Sequence, residues 1–304
     1  MNTDNGIHVI PATPYIGADV HNVDLARVVD VTDVATIEAL RLALDEHLVL
    51  RLRGQHLSAS QMERFGAYFG GFVSLKRPEQ RDALHIPGLQ FVKCISNGVT
   101  ADGRPVGDGS AKPQDWHTDG AMKPRPATYS HFYARVVPAD PPRTYWMNMY
   151  RVYDSLPAQW REEIQDLWVI HHQYSAGNEF PLPPSLPLAK RMEGPRHPLV
   201  RRHPTSGRPL LYLPHRDDAI VVGRDEAASR QLLARLRDFA ARSPYWWSAA
   251  MELDDFVIWD NRACLHRRDG WDPARERTLW HLANEGEVPV PYYAASELDV
   301  KQAS

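Results

Sequence analysis

Short segments rich in β-branched and aromatic residues, each cut off by proline or glycine, restrict this chain more than any other feature. Tyr129 to Val137 and Thr144 to Tyr150 have that texture, with Pro138 to Pro142 between them as a turn. Phe256 to Trp259 and Arg277 to Ala283 repeat it near the C-terminus, and Leu210 to Leu213 adds a shorter strand. Helical periodicity interrupts the pattern. From Asp33 to Leu48 the apolar residues Ile37, Leu40, Leu44 and Leu48 recur at spacings of three and four, which predicts an amphipathic helix capped by Thr32 or Asp33. Ser60-Gln61-Met62-Glu63 has the capping-box form and predicts a second helix that buries Phe65, Tyr68 and Phe69. Further helices are expected over Pro157 to Ile170 and over Asp225 to Ala241, the latter with Leu232, Leu233, Leu236 and Phe239 as its buried stripe. Antiparallel strands with helices inserted predict a mainly β protein with peripheral helices, built as a sandwich or barrel.

A length of 304 residues suits one β-rich domain. Within it the reading places an N-terminal helical region at about 30–70, a lid-like loop at about 72–115 with one short strand near Phe91 to Ile95, and a helical and loop insertion at about 157–205 that includes the proline-dense stretch Phe180 to Pro187. The formal net charge of −3 gives no basic footprint for nucleic acid. No apolar run is long enough to span a bilayer, and the first residues lack the form of a signal peptide, so a cytoplasmic location is expected. Cys94 and Cys264 are too few for a disulfide framework and are read as free thiols.

Chemistry enters at Trp116-His117-Thr118-Asp119-Gly120. On a strand, residues two apart share a face, so His117 and Asp119 could bind one ion. Such a triplet is common by chance, and a histidine hydrogen-bonded to a nearby aspartate is the ordinary alternative. A remote partner sharpens the case: the strand Phe256 to Trp259 runs through a polar turn to His266. Two imidazoles and a carboxylate are the facial triad that holds non-haem Fe(II) with open coordination positions. Eleven residues beyond His266, alternation puts Arg277, Leu279 and His281 on one face of a strand, with Thr278, Trp280 and Leu282 on the other. An arginine turned inward needs an anion, supplied either by a carboxylate ligand or by an Asp or Glu of the same fold.

With these residues in view, the chain resembles the taurine dioxygenase and 2,4-dichlorophenoxyacetate dioxygenase (TauD/TfdA-like) family of Fe(II)/2-oxoglutarate-dependent oxygenases. The likeness runs from Gly17-Ala18-Asp19-Val20 and His47-Leu48-Val49-Leu50-Arg51, through Trp116 to Asp119, to Asp260-Asn261-Arg262, His266 and Arg277. It implies a double-stranded β-helix, the cupin-like jelly roll. It also implies that His117, Asp119 and His266 bind iron, and that Arg277 and Thr144 hold 2-oxoglutarate, the cosubstrate used with O2. Pro141-Pro142 stands where the family has a Gly-Gly turn before that threonine, and the hydroxyl is kept. Asp119 argues against halogenation, which needs a small residue at that place. The implied reaction hydroxylates or desaturates a C–H bond of a small organic substrate and releases succinate and CO2.

The substrate is where the sequence departs from the family. Members acting on sulfonates or aryloxyacetates carry an arginine four residues after the first, and this chain has His281, which lacks the bidentate fork. An amino acid or other secondary metabolite is therefore the expected substrate, with a catabolic sulfonate or aryloxyalkanoate as the alternative. Other candidate contacts are Lys76, Arg77, Trp146, His215 and Arg216, with His171, His172 and Tyr174 behind them. Two further readings are a metal-binding sensor of the same fold and a zinc hydrolase, neither of which explains Arg277. The family resemblance also implies a homodimer or homotetramer.

Overall fold

The chain opens on antiparallel strands β1 (His8–Pro11) and β2 (Ala18–His21), then helices α1 (Leu25–Val31) and α2 (Val34–His47). The computed structural model describes residues 6–73, 86, 88–107, 109–172, 187–216 and 218–293. Asp33 caps α2 by accepting from the Thr36 N–H and hydroxyl, as its place before the periodic run predicts. Leu48 ends the helix in the left-handed region, at φ 63°, and swings the chain directly into strand β3 (Val49–Leu52). Helix α3 (Ala59–Ala67) starts two residues earlier than expected. Its capping box is Ser58 with Gln61, not Ser60 with Glu63. Leu57 decides between the two frames, because its side chain is buried and its N–H donates to the Tyr133 hydroxyl at 3.1 Å. Phe65 and Phe69 are buried as predicted, while Tyr68 is only half-buried.

Eight further strands make the framework: β4 (Lys93–Ser96), β5 (Gln114–His117), β6 (Ala127–Val136), β7 (Arg143–Asn148), and, late in the chain, β13 (Trp246–Ala250), β14 (Phe256–Asp260), β15 (Cys264–Arg268) and β16 (Thr278–Glu285). They complete a seven-stranded sheet of order β1-β2-β3-β14-β6-β16-β4 and a four-stranded sheet of order β13-β7-β15-β5. Period-two alternation gives the large sheet two apolar faces. Leu50, Leu52, Tyr133, Phe256, Ile258 and Leu282 face outward and pack with Leu40, Leu44, Met62 and Phe65 of the helices. Val49, Ala134, Val257, Trp259 and Leu279 face the small sheet and join Trp146, Trp247 and Ala249. The result is the expected jelly roll, two facing sheets with helices outside. Leu279 in one core, and Trp280 and Leu282 in or against the other, bear out the alternation read for that segment.

Between β7 and β13 the expectations need two corrections. Strand β7 stops at Asn148, whose side chain accepts from the N–H groups of Tyr150 and Arg151 and starts helix α4 (Met149–Ser155), so Tyr150 is helical. The helix expected to reach Ile170 ends as α5 (Ala158–Ile164), and the β-branched pair Val169-Ile170 lies in strand β8 (Trp168–Ile170). That strand pairs with β9 (Arg196–Pro198) and β12 (Ile220–Val221). A last small sheet joins β10 (Val200–Arg202), β11 (Pro209–Leu211) and β17 (Val290–Pro291). After the one-turn helix α6 (Leu188–Arg191), α7 (Glu226–Arg242) follows its prediction closely. Asp225 caps it, Leu232, Leu233 and Leu236 are buried, and Phe239 meets Trp160 edge to face. Residues 180–186 of the proline-dense stretch, and residues 74–85, 87 and 108 of the lid-like loop, lie outside the described residues.

Candidate metal and cosubstrate site

The central rungs of the four-stranded sheet carry the chemistry. His266 is the cross-strand partner of both His117 and Trp146, while Arg268 opposes Thr144. Opposed residues share a face, so all five side chains leave the same side of the sheet. Against β5 the register slips: two steps along β15, from His266 to Arg268, match three along β5, from His117 to Gln114. The extra residue is a bulge, a device that re-aims side chains beside active sites. Here the Asp115 carbonyl accepts from Nδ1 of His117 at 2.7 Å. A carbonyl can only accept, so the proton is on Nδ1 and the Nε2 lone pair is available to a metal.

Asp119 is not on the strand, as the i, i+2 argument supposed; β5 ends at His117. Its place is fixed from across the barrel. Asn261 accepts from the Asp119 N–H and donates to the Asp119 and Ala127 carbonyls, each at 2.9 Å. His266 likewise sits mid-strand in β15 rather than at the end of the turn. The outcome is a tight cluster. Asp119 Oδ1 lies 3.9 Å from His117 Nε2 and 3.8 Å from His266 Nε2, and one ligand atom from each residue falls within 4.8 Å of the other two.

Electrostatics suit a divalent cation. Burial lowers the pKa of His117, and it brings His266 down to about 3, so both imidazoles are neutral and can ligate. Burial pushes Asp119 upward, but His266, His281 and His117 outweigh it and hold the carboxyl well below its usual range. The second oxygen of Asp119 is already engaged: Ser130 Oγ donates to Oδ2 at 2.8 Å, and His281 Nε2 lies 3.4 Å from it. Oδ1 is left for a metal. Neutral imidazoles, an ionised carboxylate and fixed outer partners fit a facial-triad ion. Asn261→Ala and Ser130→Ala should each weaken metal affinity by about 10- to 100-fold, as loss of outer-shell partners does. Titration with Fe(II) or Mn(II) reads this directly, and wild-type affinity in both variants would remove these residues from the metal's support.

Arg277 is buried just before β16, and its N–H donates to Asn97 Oδ1 at 2.8 Å. Its guanidinium lies over the Trp271 ring, 5.4 Å from the centroid, and Nη2 has no hydrogen-bond partner among the described residues. No acidic side chain pairs with it among those residues, so no salt bridge within the described fold meets this charge. Burial pushes it down to about 9, with Arg268 adding to the effect. An arginine penalised in this way recovers the penalty when an anion arrives. Thr144 Oγ1, on the neighbouring rung, is likewise buried and unpartnered. Both orphaned donors fit the distal carboxylate of a 2-oxo dicarboxylic acid.

The remaining candidates separate. His281 is in the site, but against Asp119. His215 is buried with its ring edge-on to His117 at 5.6 Å. Arg216 is bound to Asp218 through two hydrogen bonds of 2.7 and 2.9 Å, and His172 lies 3.6 Å from the same carboxylate. Trp146 is wholly buried, stacked on Trp247 and edge-on to Trp259, as a core side chain is. Lys76 and Arg77 lie outside the described residues, as does Tyr174. Sequence reasoning missed Asn261 and Ser130. It also missed Lys93, the cross-strand partner of His281 on β4. Inward alternation of Ser130 with Phe132 was the available signal for the serine.

A His-Asp-His cluster between two facing sheets, together with a buried arginine that pairs with no carboxylate among the described residues, is consistent with a non-haem, 2-oxo-acid-dependent oxygenase. Residues 8–283 match the family described as taurine catabolism dioxygenase TauD, TfdA family, and the chain belongs to that family. It is 32% identical over 277 residues to the alpha-ketoglutarate-dependent 2,4-dichlorophenoxyacetate dioxygenase of Cupriavidus pinatubonensis, covering 88% of this chain and 94% of that one. It is 30% identical to the pentalenolactone F synthase of Streptomyces arenae, over 92% and 95% of the two chains. A taurine dioxygenase structure from Burkholderia xenovorans superposes with a TM-score of 0.73 at 27% identity, over 94% of this chain and 93% of that one. The protein is an oxidoreductase, an Fe(II)- and 2-oxoglutarate-dependent dioxygenase that uses O2 on a small organic substrate. The sensor and hydrolase readings fall with that result.

Proposed function

We propose that His117, Asp119 and His266 hold the iron, that Arg277 and Thr144 receive the distal carboxylate of 2-oxoglutarate, and that the enzyme hydroxylates or desaturates a C–H bond of a secondary metabolite. The observation that carries the assignment is that buried Arg277 Nη2 and buried Thr144 Oγ1 both lack a hydrogen-bond partner among the described residues. Bound iron with 2-oxoglutarate and O2 supplies the oxidising power, and succinate and CO2 are the by-products. The chain's own task is placement. Ser130 and His281 hold one oxygen of Asp119 so that the other points at the metal, and the Trp146, Trp247 and Trp259 wall keeps water from the inner side. We read the whole chain as one oxygenase domain, working in the cytoplasm on a small molecule; no helix among the described residues is long and apolar enough to cross a membrane.

His281 supports a neutral or weakly anionic substrate over a sulfonate. Its imidazole is occupied with Asp119, and it lacks the fork that grips such an anion. A second reading, an aryloxyalkanoate, is favoured by Lys93 at the cross-strand position to His281 and by the name of the 2,4-dichlorophenoxyacetate relative. Substrate-stimulated succinate formation across terpenoid and amino-acid metabolites, taurine and 2,4-dichlorophenoxyacetate decides between them. The expected result is stimulation by a metabolite of the first group. Strongest turnover with taurine or the aryloxyacetate would overturn it.

A further inference from the structure

Arg268 leaves the sheet on the same face as His266, two residues further along β15. Its cross-strand partner is Thr144. Successive positions on one face of a strand are about 7 Å apart, close to the span of a five-carbon dicarboxylate. A 2-oxoglutarate held at its keto end beside His117 and His266 therefore ends at the next rung, the level of Thr144 and Arg268. Arg277 lies near that level, since its guanidinium and that of Arg268 both lie over one indole, Trp271, at 5.4 and 4.4 Å from the ring centroid.

The buried guanidinium of Arg268 ties several segments together. Nη2 donates to the carbonyls of Ser110 at 3.0 Å and Lys112 at 2.8 Å, and Nη1 donates to the Asp269 carbonyl at 2.7 Å. Trp271 repeats the connection: its N–H donates to the Ala111 carbonyl at 3.0 Å, and Nε1 donates to the Arg275 carbonyl at 2.9 Å. Gly270 packs so tightly that a Cβ there would sit 3.0 Å from Pro113 Cδ and 3.1 Å from the Ala111 carbonyl oxygen. The segment gripped from both sides runs straight into β5 and His117. Lysine could not reproduce this, since a single ammonium lacks the planar fork that meets two carbonyls while lying flat on an indole.

We infer that Arg268 is a positioning residue for 2-oxoglutarate: by clamping residues 110–112 and Trp271 it fixes Arg277 at the distal carboxylate. The inference rests on the proposed role of Arg277 and deepens it. Its test is calorimetric binding of 2-oxoglutarate to enzyme loaded with Mn(II), which binds without turnover, for the wild type, Arg268→Lys, Arg268→Met and Trp271→Ala. Expected are a loss of affinity of at least about tenfold in Arg268→Met and Trp271→Ala, and a smaller loss in Arg268→Lys, while Mn(II) affinity stays within about threefold of wild type. Wild-type 2-oxoglutarate affinity in both large truncations would overturn the inference, and so would a parallel loss of Mn(II) binding, which marks a general collapse of the site. If Arg268→Met does not fold, the half-buried Trp271 position carries the same comparison. A wild type that binds Mn(II) but no 2-oxoglutarate overturns the reading of Arg277 and this inference with it, whereas normal wild-type binding beside unaffected variants overturns this inference alone.

Discussion

Asp119→Ala should abolish both iron retention and 2-oxoglutarate-dependent oxygen consumption while leaving the fold intact. The carboxylate is the only charged member of the triad, and without it two neutral imidazoles face a divalent cation alone. Folding is spared because the loop is held by its backbone: Asn261 bonds the Asp119 N–H and carbonyl, and neither bond involves the side chain that is removed. Circular dichroism and thermal denaturation should match the wild type, and elemental analysis after reconstitution should find no bound iron. One equivalent of iron together with residual turnover would sink the assignment of Asp119.

Arg277→Leu has the second large effect, and it acts in opposite directions on binding and on stability. Truncating one partner of a buried charge pair costs about 2–5 kcal/mol, which corresponds to roughly thirty-fold to several-thousand-fold in the KM for 2-oxoglutarate. At saturating cosubstrate, kcat should fall much less, because the metal ligands are untouched. In the ligand-free enzyme the guanidinium is buried with Nη2 unpartnered, so a leucine of similar bulk relieves a desolvation cost. The apo variant should therefore melt at or above the wild-type temperature, and 2-oxoglutarate should raise the melting temperature of the wild type alone. An unchanged KM would remove Arg277 from the cosubstrate site, and a variant that melts well below wild type would show that its charge is satisfied within the fold.

How much of this was legible in the sequence depends on how local the controlling interaction is. Asp33 and Asp225 were readable as caps, and Leu232, Leu233 and Leu236 as a buried stripe, because a cap and a face are set within a few residues. Two serines competed for the start of α3, and only a tertiary contact, Leu57 to Tyr133, chose Ser58. Asn148 turning a strand into a helix was lost in a run of β-forming residues. At the site, the residue types of the triad and the inward arginine were visible, but their geometry was not. Asp119 owes its position to Asn261, 142 residues away, and Ser130 and His281 meet it from two further strands. The contact of His281 with Asp119 is of that kind, and it changes what the missing arginine means: the position meets the carboxylate proposed to bind the metal.

The order in which the strands leave the ribosome gives the layout a further meaning. Strand β14 lies between β3 and β6, and β15 between β7 and β5, so both sheets are completed at their centres only by residues 256–268. A nascent chain stopped before residue 256 leaves β3 and β6 with open edges, and it lacks both His266 and the Asn261 side chain that sets Asp119. Unpaired edges of this sort are the species that aggregate, and long-range pairing of this sort is slow. The cluster of His117, Asp119 and His266 therefore cannot assemble before residues 256–266 have been made, which couples the proposed metal site to completion of both sheets.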